Sequence, residues 1–210
     1  FFLGIDLGGT NVKSGVVDTA GKVIARDSRP TESEIGQDHS VNQIIECAKA
    51  SVDAAGLLVD DIEGVGIGSP GPINPYEGTA NSPVNLPTWG TVPLAALVAE
   101  AFGGLPTCLD NDANVVAYGE NWLGAGRQTK HFVCITLGTG VGGGVVSHGK
   151  LVHGFDGNAG EIGHMSIDYR GRPCPCGNLG CLERYCSATA VVETALEKLT
   201  GEYGIASSLT

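Results

Sequence analysis

IDLGGT, residues 5–10, ends an apolar segment in a pair of glycines, and a second apolar segment, VKSGVVD (12–18), follows at once. Two apolar segments joined by a glycine turn predict strand, turn, strand. A similar stretch, ITLGTG, occupies residues 135–140 and is likewise followed by Gly-Val-Val and then by Gly-Lys. The two copies favour a duplicated domain in which two glycine-rich hairpins face each other over one ligand. The alternative is a chance similarity between glycine-rich hairpins.

The segments around the two hairpins alternate between helical and extended patterns. Apolar residues at helical spacing predict helices at 41–56, 94–102, 112–123 and 188–199, and short apolar runs predict strands at 64–68 and 107–110. We interpret the proline-containing segment 69–89 as a long loop. The resulting order is mixed α/β, and 210 residues are enough for one large domain or two modest ones.

Composition narrows the class of partner. The net charge of −11 argues against nucleic acid or an anionic membrane as the main partner, because both need a positive surface. The chain has no run of 18 apolar residues, and its first residues lack the basic segment of a signal peptide. Seven cysteines, an odd number, fit a reducing compartment, so we expect a cytoplasmic protein. Cys47, Cys108 and Cys134 lie in apolar segments, and we expect them to be small core residues.

The two glycine turns are candidates for binding phosphate. Backbone N–H groups at a tight glycine turn can surround a phosphate because no side chain stands in the way. Asp6 precedes the first turn and could hold Mg²⁺, while Thr10 and Lys13 add a hydroxyl and a cation. Neither turn has the spacing of a P-loop or of a Rossmann fingerprint. Facing each other, the turns would suit a nucleoside triphosphate.

Polar residues at a predicted strand end are candidates for acid–base chemistry. Asn111 and Asp112 stand where a strand ends and a helix begins. Asp112 alone could be a helix cap, but an Asn-Asp pair also suits holding a hydroxyl and accepting its proton. Glu161 and His164 lie three residues apart further along the chain.

The stretch PCPCGNLGCLE, residues 173–183, brings three thiols together. With His164 they make a Cys₃His set, which is typical of a structural zinc site. Gly177 and Gly180 let the chain turn back so that Cys181 can reach the same metal. A disulfide or free thiols remain the alternatives, and Cys186 is expected to be a bystander.

Six motifs occur in the order found in one family. They are DLGGT (6–10), SPGP (69–72), NDAN (111–114), LGTGVGGG (137–144), GEIGH (160–164) and CPCGNLGCLE (174–183). Over essentially its whole length the chain resembles the ROK family of bacterial sugar kinases and sugar-responsive repressors, and most of all the ATP-dependent glucokinases in it.

The resemblance implies an actin-like ATPase (ribonuclease H-like) fold with two lobes around a cleft. Residues 1–108 would form the small N-terminal α/β lobe, and residues 109–210 would begin the large lobe with its zinc-binding loop. Family members run on beyond this length, so the second lobe is expected to be incomplete and the 210 residues alone to be poorly active.

The resemblance also implies roles for individual residues. ATP would be bound by Asp6, Gly8, Gly9, Thr10, Lys13, Gly138, Thr139 and Gly140, with Mg²⁺. Sugar hydroxyls would be held by Asn85, Asn111, Asp112, Glu161, His164 and Glu183, with the loop 69–71 nearby. Structural Zn²⁺ would be bound by His164, Cys174, Cys176 and Cys181.

The implied reaction is ATP-dependent phosphorylation of the 6-hydroxyl of glucose, with Asp112 as the general base. One alternative is a kinase for N-acetylglucosamine, N-acetylmannosamine or fructose. Another is a sugar-sensing transcriptional repressor without its DNA-binding module. A homodimer is expected from the resemblance alone.

Overall fold

The structure is a computed structural model that describes residues 1–83 and 85–200, except for the side chain of residue 200. Its strands and helices are bounded as follows. The strands are β1 (Phe2–Leu7), β2 (Asn11–Val17), β3 (Val23–Pro30), β4 (Gly64–Ser69), β5 (Ile73–Asn74), β6 (Thr79–Asn81), β7 (Thr91–Val92), β8 (Thr107–Asn111), β9 (Phe132–Leu137), β10 (Val141–Ser147) and β11 (Lys150–Leu151). The helices are α1 (Gln37–Ala54), α2 (Leu94–Ala101), α3 (Asp112–Trp122), α4 (Glu183–Cys186) and α5 (Ala188–Thr200).

A five-stranded sheet in the order β3-β2-β1-β4-β8 organises the first half of the chain. The predicted hairpin of β1 and β2 is antiparallel, and its turn is closed by a 3.0 Å bond from the Gly8 N–H to the Asn11 carbonyl. Strand β4 pairs in parallel with both β1 and β8. In β1 every second residue is buried, because Leu3, Ile5 and Leu7 belong to the core into which helix α1 also packs. The carboxyl ends of β1, β4 and β8 therefore lie at one edge of the sheet.

The predicted loop 69–89 contains structure that local pattern did not indicate. Strands β5 and β6 lie within it and form a small antiparallel sheet with β7. The turn between β5 and β6 is stabilised by the Asn74 side chain, which accepts from the backbone N–H groups of Tyr76 and Glu77. Strands of two or three residues are too short to show a period-2 pattern, so the expectation of a plain loop was wrong for this segment.

The second hairpin repeats the first. Strands β9, β10 and β11 form an antiparallel sheet in the order β11-β10-β9, which matches the order β3-β2-β1. This topology agrees with the duplication hypothesis. Helix α3 packs on β10 at its glycines, where a Cβ added at Gly142 would lie 2.9 Å from the Ala113 Cβ. Glycine thus permits a close approach of helix and strand that a larger residue would prevent.

Several predicted boundaries differ in detail. Helix α1 begins four residues before the predicted start at residue 41, and β8 ends at Asn111, one residue after the predicted strand end at 110. Of the three cysteines expected in the core, Cys47 is buried, whereas Cys134 is partly exposed and Cys108 is exposed. Cys108 precedes the buried Leu109 in β8 and therefore lies on the opposite face of the sheet.

Within residues 1–83 and 85–200, no helix is both long and apolar enough to cross a membrane.

Candidate functional site

The strand end at Asn111 is the centre of the candidate site. Asn111, not Asp112, caps helix α3, because its Oδ1 accepts from the N–H groups of Ala113 at 3.0 Å and Asn114 at 3.4 Å. The predicted cap at Asp112 is corrected accordingly. The Nδ2 group of Asn111 donates to the Gly71 carbonyl at 3.5 Å, which connects the cap to the loop after β4.

Asp112 is the first residue of α3, and its carboxylate is not used as the cap. One oxygen accepts from its neighbour, the Ala113 N–H, at 2.8 Å, and the side chain remains accessible to solvent. Surrounding protein atoms nevertheless raise the pKa of the Asp112 carboxyl by desolvation, and the negative charge of Asp6 raises the pKa further. The Ala113 N–H opposes this rise. The result is an accessible carboxyl with a strengthened affinity for a proton.

His164 ends a short helical turn, Ile162–His164, and Glu161 directly precedes this turn. The Nε2 atom of His164 lies 3.8 Å from a carboxylate oxygen of Glu161. The preceding residue, Gly160, runs against the start of α3, since a Cβ there would lie 3.2 Å from Asn114 Oδ1. The structure thereby brings Glu161 to the same end of α3 as Asn111 and Asp112.

The first glycine turn has partners that sequence reasoning missed. Thr31 donates through its hydroxyl to the Gly8 carbonyl at 2.7 Å and through its N–H to the Thr10 carbonyl at 2.9 Å. Asn85, expected to bind sugar, lies against this turn, because a Cβ at Gly9 would lie 2.7 Å from its carbonyl oxygen.

The charged residues of the first turn are close to each other. Lys13 Nζ lies 3.8 Å from Asp6 Oδ2, and both side chains are largely exposed. Asp6 pairs with Gly68 in the sheet, and a Cβ at Gly68 would lie 3.7 Å from the Asp112 Cα. The first turn and the base candidate are therefore near neighbours.

The second glycine turn is held by hydrogen bonds to residues that come later in the chain. A carboxylate oxygen of Glu183 accepts from the Val141 N–H at 2.9 Å, directly after the turn at Gly138–Gly140. The first residues of α5 complete the support, with the Ala188 N–H donating to the Gly138 carbonyl at 2.9 Å and the Thr189 hydroxyl donating to the Thr139 carbonyl at 3.1 Å. Glu183, expected to bind sugar, is thus placed at this turn.

Four residues form a cluster that could hold a metal ion. The ligand atoms of His164, Cys174, Cys176 and Cys181 all lie within 4.8 Å of one another. The Cys176 and Cys181 sulfurs are 3.7 Å apart, and the Cys174 sulfur is 3.6 Å from His164 Nδ1. A tetrahedral zinc site with Zn–S and Zn–N bonds of usual length places two sulfurs about 3.8 Å apart, and a sulfur and a nitrogen about 3.6 Å apart. The donor set and its spacing therefore fit zinc.

The loop that bears these ligands depends on two glycines. Gly177 and Gly180 have φ of 91° and 67°, which side chains rarely tolerate. The turn is closed by the Cys174 N–H donating to the Asn178 carbonyl at 2.9 Å. The Asn178 N–H and the neighbouring thiols lower the pKa of Cys176 to about 7, which favours the thiolate form of this residue. Within the described residues no disulfide is formed, and all seven cysteines are free.

One further pair was not predicted. Asp110 Oδ2 lies 2.6 Å from His153 Nε2, and both side chains are mostly buried. The pair is separated by 43 residues along the chain, and the only local signal was the position of Asp110 beside Asn111 and Asp112.

The chain is similar to known proteins over most of its length. A family model described as the ROK family matches residues 2–204. The glucokinase of Thermotoga maritima is 42% identical over 189 residues, which cover 90% of this chain and 58% of that protein. Among solved structures, the ROK hexokinase of Thermus thermophilus is 34% identical with a TM-score of 0.83, covering 94% of this chain and 64% of that one.

Two further comparisons bear on function. A ROK family glucokinase from Streptomyces griseus, solved in complex with glucose and AMPPNP, is 35% identical with a TM-score of 0.79 and covers 94% of this chain and 61% of that one. The xylose repressor of Caldicellulosiruptor bescii is 35% identical over 94% of this chain and 49% of that protein. The matched sugar kinases have the actin-like ATPase fold, which confirms the predicted fold class. The chain spans about 60% of the length of the glucokinases that it matches.

Proposed function

Because the chain belongs to the ROK family, we propose that the protein is a hexose kinase that transfers a phosphoryl group from ATP to the 6-hydroxyl of glucose. The observation that carries this proposal is the environment of Asp112. Its carboxyl is accessible, stands at a strand end beside the first glycine turn, and has a raised pKa. A carboxylate with raised proton affinity is suited to accept a proton from a hydroxyl as that hydroxyl attacks phosphorus.

The surrounding residues would bind the sugar, the phosphates of ATP and Mg²⁺. Asn111, Glu161 and His164 would hold sugar hydroxyls around Asp112, because carboxylates and amides form strong hydrogen bonds with them. The turns at Gly8–Thr10 and Gly138–Gly140 would offer backbone N–H groups to the phosphates of ATP. Glu183 would orient the second turn through Val141 and face the sugar with its other oxygen. Asp6 would hold Mg²⁺, which neutralises charge on the phosphates.

The Cys₃His cluster would hold a structural zinc ion. A closed set of four protein ligands leaves no open position for a substrate. His164 can serve both sites at once, since its Nδ1 faces the cluster and its Nε2 faces Glu161. Zinc would thereby fix the orientation of a sugar-binding imidazole. Elemental analysis should give one zinc per chain, and a folded protein purified without metal would contradict this assignment.

Kinase activity is tested with ATP and each of four sugars: glucose, N-acetylglucosamine, N-acetylmannosamine and fructose. The amount of ADP released measures the activity. In a protein of the length of the matched glucokinases, Asp112→Asn should lower kcat by about 10²–10⁴-fold, the range typical of a general base, while the Kd for glucose changes little. Asp53→Asn, which alters an exposed carboxylate on α1, is the matched control and should leave kcat unchanged. Unchanged turnover in Asp112→Asn would place the base elsewhere.

A sugar-sensing repressor is the second candidate, and the xylose repressors among the relatives favour it. A protein of that class would bind a sugar but would release no ADP with any of the four sugars. The acidic charge of the chain and the available Asp112 support the kinase. We also expect a cytoplasmic homodimer, and light scattering of the purified protein would measure its mass.

A further inference from the structure

Asp110 is the centre of a hydrogen-bonded group directly before the residues of the proposed active site. Its Oδ1 accepts from the Asn111 N–H at 2.8 Å and from the Asn114 side-chain amide at 2.9 Å. Its Oδ2 lies 2.6 Å from His153 Nε2. A carboxylate only accepts hydrogen bonds, so His153 donates through Nε2. Both carboxylate oxygens are thus engaged, and the last two residues of β8 are held to the first turn of α3.

His153 extends this group to a second segment. It follows strand β11, and its backbone carbonyl accepts from the Ala159 N–H at 3.0 Å, which closes the loop 153–159. Gly160 and Glu161 follow immediately, and Gly160 lies close to the Asn114 side chain. One residue therefore contacts Asp110 with its ring and the loop leading to Glu161 with its backbone.

The low solvent exposure of His153 and Asp110 favours a strong hydrogen bond between them. The side chains of His153 and Asp110 are 22% and 20% exposed. The Tyr76 ring stands edge-on to the His153 ring, with centroids 6.3 Å apart. A hydrogen bond to a carboxylate that is shielded from water in this way is strong and directional.

We propose that His153 is a positioning residue that joins the two halves of the sugar site, holding Asn111–Asp112 and Glu161 at a fixed separation through Asp110 and the loop 153–159. This role rests on the proposed kinase function. His153 itself need not touch the sugar, the phosphate or the reacting atoms. Its effect should therefore fall on hexose kinetics and not on ATP binding, because the glycine turns have other partners.

The test compares three variants of the intact protein. His153→Leu removes the hydrogen-bond donor to Asp110, whereas His153→Gln keeps an N–H donor at a similar reach. His131→Leu is the control, since His131 is exposed and its side chain is hydrogen-bonded to Ser147 at the end of β10. His153→Leu should lower kcat/KM for the hexose by about 10–100-fold, as expected for a small misplacement of reacting groups, with KM for ATP changed less than about twofold. His153→Gln should recover most of the lost activity. Comparable hexose kinetics in His153→Leu and wild type would overturn the proposal, as would an equal loss in His153→Gln.

Hydrogen–deuterium exchange separates this inference from the proposed function. In the absence of any ligand, His153→Leu should speed amide exchange at 111–114 and 159–161 by about tenfold or more, the loss expected for one hydrogen bond to a charged group. His131→Leu should leave both segments unchanged. If the wild type phosphorylates no hexose, the proposed kinase function fails, while the exchange result still decides the role of His153. If His153→Leu does not fold, His153→Asn replaces it, because its amide is too short to reach Asp110 and the same two segments should exchange faster.

Discussion

Replacing Gly144 with alanine tests how strand β10 holds helix α3, whose first residue is Asp112. A Cβ at Gly144 would lie 3.1 Å from the Ala113 carbonyl oxygen and 3.4 Å from the Asn114 Cα, and it would be closer than 3.0 Å to the Ala117 Cβ. None of these atoms can move by rotating a side chain. The whole helix must shift away from the sheet, and Asp112 must move with it.

The expected loss follows from these distances. Carbon atoms pack best at about 3.5–4.0 Å, so the new methyl group overfills the interface. Overpacking of this kind costs about 1–3 kcal/mol, while an alanine restricts the unfolded chain and offsets roughly 0.4–1 kcal/mol. Taken at the middle of both ranges, the free energy of unfolding should fall by about 1.3 kcal/mol. For a chain of this size that corresponds to a Tm lower by roughly 3–5 °C.

Circular dichroism against temperature measures the change, with Gly119→Ala as the matched control. Gly119 lies on the same helix, and a Cβ there meets no atom within 4 Å. Alanine is a better helix former than glycine by about 1 kcal/mol, so this variant should melt higher by about 2–4 °C. A Tm for Gly144→Ala equal to or above that of wild type would refute the argument that helix and strand are in contact through this glycine.

Two other predictions concern stability. Asp112→Asn should raise Tm at pH 7, because a carboxyl whose pKa is raised on folding destabilises the folded state once it is ionised. The Tm difference between Asp112→Asn and wild type should grow as pH rises through the raised pKa. It should vanish below about pH 3.9, the ordinary aspartate pKa, where Asp112 is protonated in both the folded and the unfolded protein. A Tm difference of the same size at pH 3.5 and pH 7 would contradict this prediction. A strong chelator should lower the Tm of wild type but not of Cys174→Ser, which lacks one ligand of the cluster. A chelator effect of equal size in both proteins would point to a metal site elsewhere, and Cys186→Ser, outside the cluster, is the control.

Local pattern was sufficient wherever neighbouring residues determine the structure. The first hairpin was predicted because alternating apolar residues and a glycine pair are adjacent in the chain, and its pairing is confirmed. The metal candidates were also found from spacing, because Cys174, Cys176 and Cys181 lie on one tight turn. His164 lies ten residues before Cys174, so even this cluster is nearly local.

Local pattern failed where two chemically similar neighbours compete for one position. Asn111 and Asp112 are both good caps by residue type. Which one caps α3 depends on where β8 ends, and β8 runs on to Asn111 because that residue still pairs with Ser69. The register of the sheet therefore sets the cap and leaves the Asp112 carboxylate available.

By itself, the sequence determined the class of the fold, the two glycine turns, the candidate metal ligands and the carboxylate at the start of α3. Only the tertiary structure decided that Glu183 supports the second turn through Val141, and that His153 and Asp110 meet across 43 residues. The physical reason is that a glycine turn or a ligand spacing is a property of adjacent dihedral angles. A bond between distant side chains depends instead on how two sheets are placed, and that placement follows from packing such as that of α3 on the glycines of β10.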